Sequence, residues 1–338
     1  MDLNALWFAL VGILLIGYAI LDGFDFGVGV LHLFARDEQQ RRLSMNAIGP
    51  VWDGNEVWLL TGGGALFAAF PVVYATVFSG FYLALMLLLI ALIFRAVAME
   101  FRGKVDSPRW RRVWDWAFGL GSLLPAFLFG VAFGNILRGV PIDRGAVYTG
   151  SFLGLLHPYP LLIGVLGLTI FTMHGAIYLT MKTDGSLRQR LVRIASRLWM
   201  VMLALYVLAT VGTFLVAPFL FVGAAGSIFF WALLGATLAA TMAIPISLTA
   251  SRYGRAFAAS STTIAGMMGL SVFNLFPRLV PSSIDLEYSL TAYNASSSPT
   301  TLSVMLIVAL VGMPLVLGYT IVIYRVFKGK VVITPDSY

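Results

Sequence analysis

The sequence predicts an all-α integral membrane protein with nine transmembrane helices, its N-terminus outside and its C-terminus in the cytoplasm. Three observations carry this. First, 59% of the 338 residues are hydrophobic and only 11% are charged, with a mean hydropathy of +0.91; soluble domains carry about 25% charged residues. Second, the chain divides into nine apolar segments, at roughly 4–34, 52–70, 73–95, 113–137, 159–181, 193–217, 226–250, 256–277 and 302–325, close to the ~20 residues that cross a bilayer. Third, the basic residues alternate. Of 22 Lys and Arg, 19 fall in the odd-numbered loops and the C-terminal tail, and only Arg138, Arg144 and Arg278 fall in the even ones. Basic loops stay in the cytoplasm. The net charge of +7 is therefore a topology signal and not a nucleic-acid footprint.

The first segment is not read as a cleaved leader, because no basic residue precedes it and Arg36 follows it. No loop is long enough for a separate soluble domain, so residues 1–338 are expected to form one polytopic domain. Segments 1–4 (about 4–137) and 5–8 (about 159–277) suit two four-helix bundles, with segment 9 (about 302–325) outside them. Pro245, Pro277 and Pro314 lie in or near segments and are expected to bend them. There is no cysteine, which excludes disulfides, thiolate metal sites and iron–sulfur clusters.

Acids inside apolar segments are the strongest functional signal, because an ionised group in hydrocarbon is costly. Asp22 and Asp25 stand three residues apart on segment 1, on one face of a helix. Gly23, Gly27 and Gly29 beside them let a neighbouring helix come close. Asp53 and Glu56 open segment 2 after Pro50, where the helix dipole also favours carboxylates. All four would lie in the inner half of the membrane, as a proton relay from the cytoplasm or as a pair of acids locking helix packing. Trp52 and Trp58 bracket the second pair, either as interfacial anchors or as site residues. Arg95, with Glu100 and Arg102 beyond it, ends segment 3 as a topology signal or as the counter-ion of Asp22, Asp25 or Asp53. Asp115 reads as a dipole cap on segment 4.

Three histidines remain. His32 and His174 are poorly matched in depth for a bis-His haem, so this chain is not expected to ligate haem iron. His174 reads as a buried neutral imidazole bonded to a hydroxyl or a backbone group, with proton transfer as a secondary role. The run Ser260–Ser261–Thr262–Thr263 is expected to bond back into its own helix or to a neighbour. There is no P-loop, GxSxG or HExxH motif. The match of Asn294–Ala295–Ser296 to a glycosylation sequon is weak.

Several stretches together resemble subunit II of the cytochrome bd quinol oxidases. They are Gly17 to Gly29 around Asp22–Gly23–Phe24–Asp25, then Asn46 to Pro50 running into Trp52–Asp53–Gly54–Asn55–Glu56–Val57–Trp58. Gly64 to Pro71, Phe94–Arg95, Glu100–Phe101–Arg102, Trp114–Asp115 and Gly130 to Asn135 follow. Phe276–Pro277, Pro281–Ser283, Ser289–Thr291 and Asn294–Ser297 complete the series. The resemblance runs along the whole chain in order. It implies a non-haem subunit of a complex in the bacterial inner membrane that oxidises quinol and reduces dioxygen to water. Two b-type haems and haem d would sit in subunit I, with which this chain would form a heterodimer; a small accessory subunit is left open. It also implies roles in proton delivery or at the subunit interface for Asp22, Asp25, Asp53, Arg95 and Glu100, with Glu56 as a further acid on the path. Trp58 would border a hydrophobic oxygen route and Trp52 a quinone or the interface. Some relatives hold a structural quinone in this subunit. Two departures stand out: Glu56 replaces the Gln of some relatives, and the outer stretch near 217–226 is short. The competing function is a proton-coupled secondary transporter. Such proteins tend to have inverted repeats and broken midplane helices, and no convincing pair is visible.

Overall fold

The computed structural model describes residues 2–333. Eleven helices appear: α1 (Leu3–His32), α2 (Glu38–Ile48), α3 (Trp52–Ala69), α4 (Pro71–Gly80), α5 (Tyr82–Phe101), α6 (Pro108–Arg138), α7 (Pro158–Lys182), α8 (Gly185–Val216), α9 (Ile228–Thr249), α10 (Tyr253–Leu275) and α11 (Pro299–Val326). A short antiparallel pair, β1 (Arg278–Val280) with β2 (Leu290–Thr291), folds the loop between α10 and α11. Among the described residues eight helices are long and apolar enough to cross a membrane, and the bent pair α3–α4 makes a ninth candidate.

Helix ends follow local chemistry. Asp2 caps α1 by accepting the Asn4 and Ala5 amides, and Ser107 and Ser298 cap α6 and α11 ahead of Pro108 and Pro299. These side chains satisfy amides that the first helical turn leaves without partners.

Four boundaries correct the sequence reading; one is α8, which starts at Gly185 and not at 193. The third segment was expected at 73–95. Instead Pro71 drives Phe70 out of helical geometry (φ −135°, ψ 65°), and residues 71–80 form the separate helix α4, turned 120° from α3. The membrane-length helix is α5, and it runs on to Phe101. Arg95 therefore lies within a helix and not beyond its end. Helix α2, expected as loop, is held by Asp37, whose carboxylate accepts the Gln40 amide; its polarity hid it from an apolar scan. Helix α6 begins at Pro108 and not at 113, so Asp115 stands two turns inside it and caps nothing. Pro245 and Pro314 lie within α9 and α11, whereas Pro277 follows the end of α10.

Helix α1 is the centre of the packing and meets α3, α6, α7 and α10. Its glycines explain the closeness. A Cβ on Gly27 would overlap the Phe171 carbonyl of α7, and one on Gly175 would overlap the Gly27 backbone. Helix α11 lies at the other extreme: it meets α1 and α3, and none of its most apolar window is buried.

Candidate functional site

Two clusters of charged side chains are buried beside α1. In the first, Asp22 and Arg95 are both fully buried. Their side chains meet in a two-point contact, Nη2 to Oδ1 at 2.6 Å and Nη1 to Oδ2 at 3.1 Å. Glu56 of α3 approaches the same guanidinium at 3.3 Å. The Phe26 ring lies 4.4 Å from Arg95 Cζ and the half-buried Trp52 ring 6.0 Å. Such faces attract a guanidinium. The fork geometry favours arginine over lysine at this position.

Asp25, one turn along α1, turns to α3. Its Oδ2 accepts from Asn55 Nδ2 at 2.7 Å, and the same amide reaches the Leu21 carbonyl at 3.1 Å. Asn55 Oδ1 accepts the Tyr324 hydroxyl of α11 at 3.0 Å. Asp25 is fully buried, yet its Oδ1 has no hydrogen-bond partner. Tyr18 Oη, Trp58 Nε1 and Arg95 Nε are likewise buried and unpartnered. Trp58 packs with Leu14, Tyr18 and Phe26, and its ring fills the space that a Cβ on Gly17 would need. The cluster thus holds one cation against three carboxyl groups, with several polar atoms unsatisfied.

The remaining acids are not drawn in. Asp53 and Glu100 are exposed on α3 and α5, so Arg95 is not the counter-ion of Asp53. Asn55, which sequence reasoning passed over, lies between Asp53 and Glu56. Its signal was an amide set between two acids in the first turn of a largely apolar helix.

The second cluster was also missed. Asp115 Oδ1 accepts from His32 Nε2 at 2.8 Å and from Arg102 Nε at 2.6 Å, and Oδ2 accepts from Arg41 at 2.7 Å. Arg102 also donates to Glu38 of α2 at 2.8 and 3.0 Å. His32 Nδ1 lies 2.8 Å from the Ser44 hydroxyl. This network pins α2 to the ends of α1, α5 and α6.

The two histidines within α1 and α7 are held by neighbouring groups. Both ring nitrogens of His32 are engaged, by Ser44 and Asp115, and both of His174, by Ser260 at 2.7 Å and the Ile20 carbonyl at 3.1 Å. His174 also stacks on Phe257, ring centres 4.6 Å apart. Among the described residues no group of three His, Asp or Glu could hold a metal ion. Ser260, Ser261, Thr262 and Thr263 each donate to a carbonyl three or four residues back.

A protein of Escherichia coli K12 named "Cytochrome bd-I ubiquinol oxidase subunit 2" is 38% identical over 97% of this chain and 95% of its own length. A Bacillus subtilis protein named "Cytochrome bd ubiquinol oxidase subunit 2" is 39% identical over 98% and 97%. The fold matches a chain from the bd oxidase of Geobacillus thermodenitrificans with a TM-score of 0.81 at 18% identity, covering 97% of this chain and 99% of that one. The family described as cytochrome bd terminal oxidase subunit II matches residues 3–327, and with these relatives it shows that the chain belongs to that family.

Proposed function

We propose that this chain is the subunit of a quinol oxidase complex that delivers protons for the reduction of dioxygen, while the redox groups are held elsewhere. One observation carries this: two fully buried carboxyl groups, Asp22 and Asp25, and the partly buried Glu56 lie around a single buried cation, and Asp25 keeps an oxygen without a partner. Buried charges must be paired or neutralised. Arg95 balances one negative charge, so keeping both Asp22 and Asp25 ionised in the buried cluster is costly, and the cluster favours a proton on one of them. A group of acids that favours a bound proton, and that has an open oxygen to receive one, is suited to passing protons on.

In this reading the chain pairs with a subunit I that carries two b-type haems and haem d, and the pair sits in the bacterial inner membrane. The lysine and arginine distribution supports an N-terminus outside, a C-terminus in the cytoplasm and an acid cluster in the inner half. α1, α3, α5 and α6 would form one four-helix bundle and α7 to α10 the other, with α11 outside, all within one polytopic domain. Trp58 would act at the wall of an apolar oxygen route, and Trp52 near a quinone or the interface. Reduction of one dioxygen consumes four protons; drawing them from the cytoplasm separates charge without a pump. The residues' own work is to hold a proton at Asp25 or Glu56, and to orient Asp22 against Arg95.

The test is the two-subunit complex in oriented proteoliposomes. Asp25→Asn should slow proton uptake on the inner-facing side on the order of tenfold, while electron transfer from quinol into the b haems keeps its rate. If reduction of the b haems by quinol slows equally, the acids serve assembly or quinol binding and the proton reading fails.

A further inference from the structure

The last described residues wrap back over the end of the molecule where α1, α7 and α11 finish and α3 begins. The Val331 amide bonds the Lys182 carbonyl at 3.0 Å, Lys182 Nζ bonds the Phe327 carbonyl at 2.7 Å, and Lys330 pairs with Asp184 at 2.5 Å. This segment closes one side of a cleft of about 300 Å³, whose walls include Asn46, Pro50, Tyr178, Lys182, Tyr324 and Lys328. A single water needs only ~10–15 Å³ of such space, so the cleft has room for many. Two of its three lysines already have partners.

The cleft adjoins the acid cluster through one side chain. Tyr324 forms part of its wall, and the Tyr324 hydroxyl donates to Asn55 Oδ1, while Asn55 Nδ2 donates to Asp25. Beyond Asn55 lies the Asp25 oxygen that has no partner. Tyr324 comes from α11, the helix with the least buried surface, so the hydroxyl that holds Asn55 rides on the least constrained element near the site.

We propose that this cleft is the water-filled antechamber through which protons reach Asp25, and that the Tyr324–Asn55 pair is its inner gate. An amide cannot readily pass a proton along itself, so Asn55 does not relay. It holds Asp25 oriented while the Tyr324 bond is made. Water from the cleft reaches Asp25 when that bond opens, and the bond must re-form to return Asp25 to its receiving orientation, so losing it slows uptake. Tyr324 is thus a positioning residue. The proposal rests on the proton-delivery reading and adds where the protons come from.

The absence of cysteine from this chain makes the test direct. In the two-subunit complex, Lys328→Cys places a single thiol of this chain on the cleft wall, and a bulky methanethiosulfonate reagent then fills the cleft. Turnover of the unmodified Lys328→Cys complex sets the baseline against which the modified complex is read. Modification should slow proton uptake about tenfold and leave electron transfer from quinol into the b haems unchanged, with wild-type complex treated in parallel as the control. Tyr324→Phe leaves Asn55 without the bond that sets its orientation and should slow proton uptake about fivefold, in line with losing one hydrogen bond, again without slowing electron transfer from quinol into the b haems. Combined with Asp25→Asn, neither change should add a further loss. If Asp25→Asn slows uptake but complete modification and Tyr324→Phe both leave it at full speed, the antechamber is wrong and the proton reading survives. If Asp25→Asn itself has no effect, the proton reading falls and the antechamber with it.

Discussion

The two buried ionic clusters beside α1 use the same kinds of side chain to opposite ends. Around Asp115 the charges balance: Arg41 and Arg102 face Asp115 and Glu38, and His32 and Ser44 complete the hydrogen bonds. Around Asp22 they do not: Arg95 pairs with Asp22 and Glu56 while the buried Asp25 has only the Asn55 amide, and Asp25, Tyr18, Trp58 and Arg95 each keep a buried polar atom unpartnered. A fully satisfied network fixes helices in place, whereas an unsatisfied one costs stability and is kept where chemistry needs it. Under the proton-delivery reading proposed above, the difference separates a structural staple from a working site within one helix, since His32 and Asp22 both belong to α1.

The largest effect should come from removing the only cation of the unbalanced cluster. Arg95→Ala leaves buried carboxyl groups with no partner charge, a loss of about 3–5 kcal/mol for breaking a buried pair. Little assembled complex should reach the membrane, measured as haem yield in the purified complex. Normal yield and turnover would mean that the three acids are all neutral in the wild type, and the contrast with the Asp115 network would collapse.

Next comes the crossed pair Asp115→Asn and Asp25→Asn. Asp115→Asn leaves Arg41 and Arg102 short of a carboxylate and should lower stability by about 1–3 kcal/mol, seen as a fall in the thermal midpoint of the complex. Turnover per surviving complex should hold. Asp25→Asn should do the reverse, keeping the midpoint and losing turnover. Asp53→Asn, on an exposed residue, should lower stability less than Asp115→Asn. That ordering corrects the grouping of Asp53 with Asp22 and Asp25 that the sequence suggests.

Much of this was legible in advance. Apolar segments and alternating basic loops give the membrane helices, and the Asp22–Asp25 and Trp52–Trp58 stretches give the family. The i, i+3 spacing of Asp22 and Asp25 marks them as neighbours. It does not say that one turns to α5 and the other to α3, because partner choice is set by helix packing across the chain. The extent of α5 was hidden by α4, which is apolar enough to merge with it until Pro71 and Phe81 are seen to break the run. The Asp115 network draws on α1, α2, α6 and the turn after α5, so no local window contains it. Asn55 was overlooked because neutral amides carry no charge signal, yet it is the residue that connects Asp25 to α11.

The smallest effect concerns a third ionic group, which sharpens the comparison because it is exposed. Asp184 takes Lys330 and Arg188, each at 2.5 Å, and these contacts hold its carboxyl below the usual carboxylate range, the Lys330 hydrogen bond first. A carboxyl lowered in the folded state contributes its stability above its ordinary range and loses it as the pH falls through the lowered value. At neutral pH the tether on the C-terminal segment is therefore fully made. Exposed pairs are worth little, so Asp184→Asn should leave assembly and turnover at wild-type levels. It should loosen only the fold-back, raising hydrogen exchange at the Val331 amide about twofold to fivefold at neutral pH, and acidification should erase the difference between variant and wild type. If Asp184→Asn instead lowers the thermal midpoint as far as Asp115→Asn, burial is not what distinguishes these ionic groups, and the staple reading of the Asp115 network loses its physical basis.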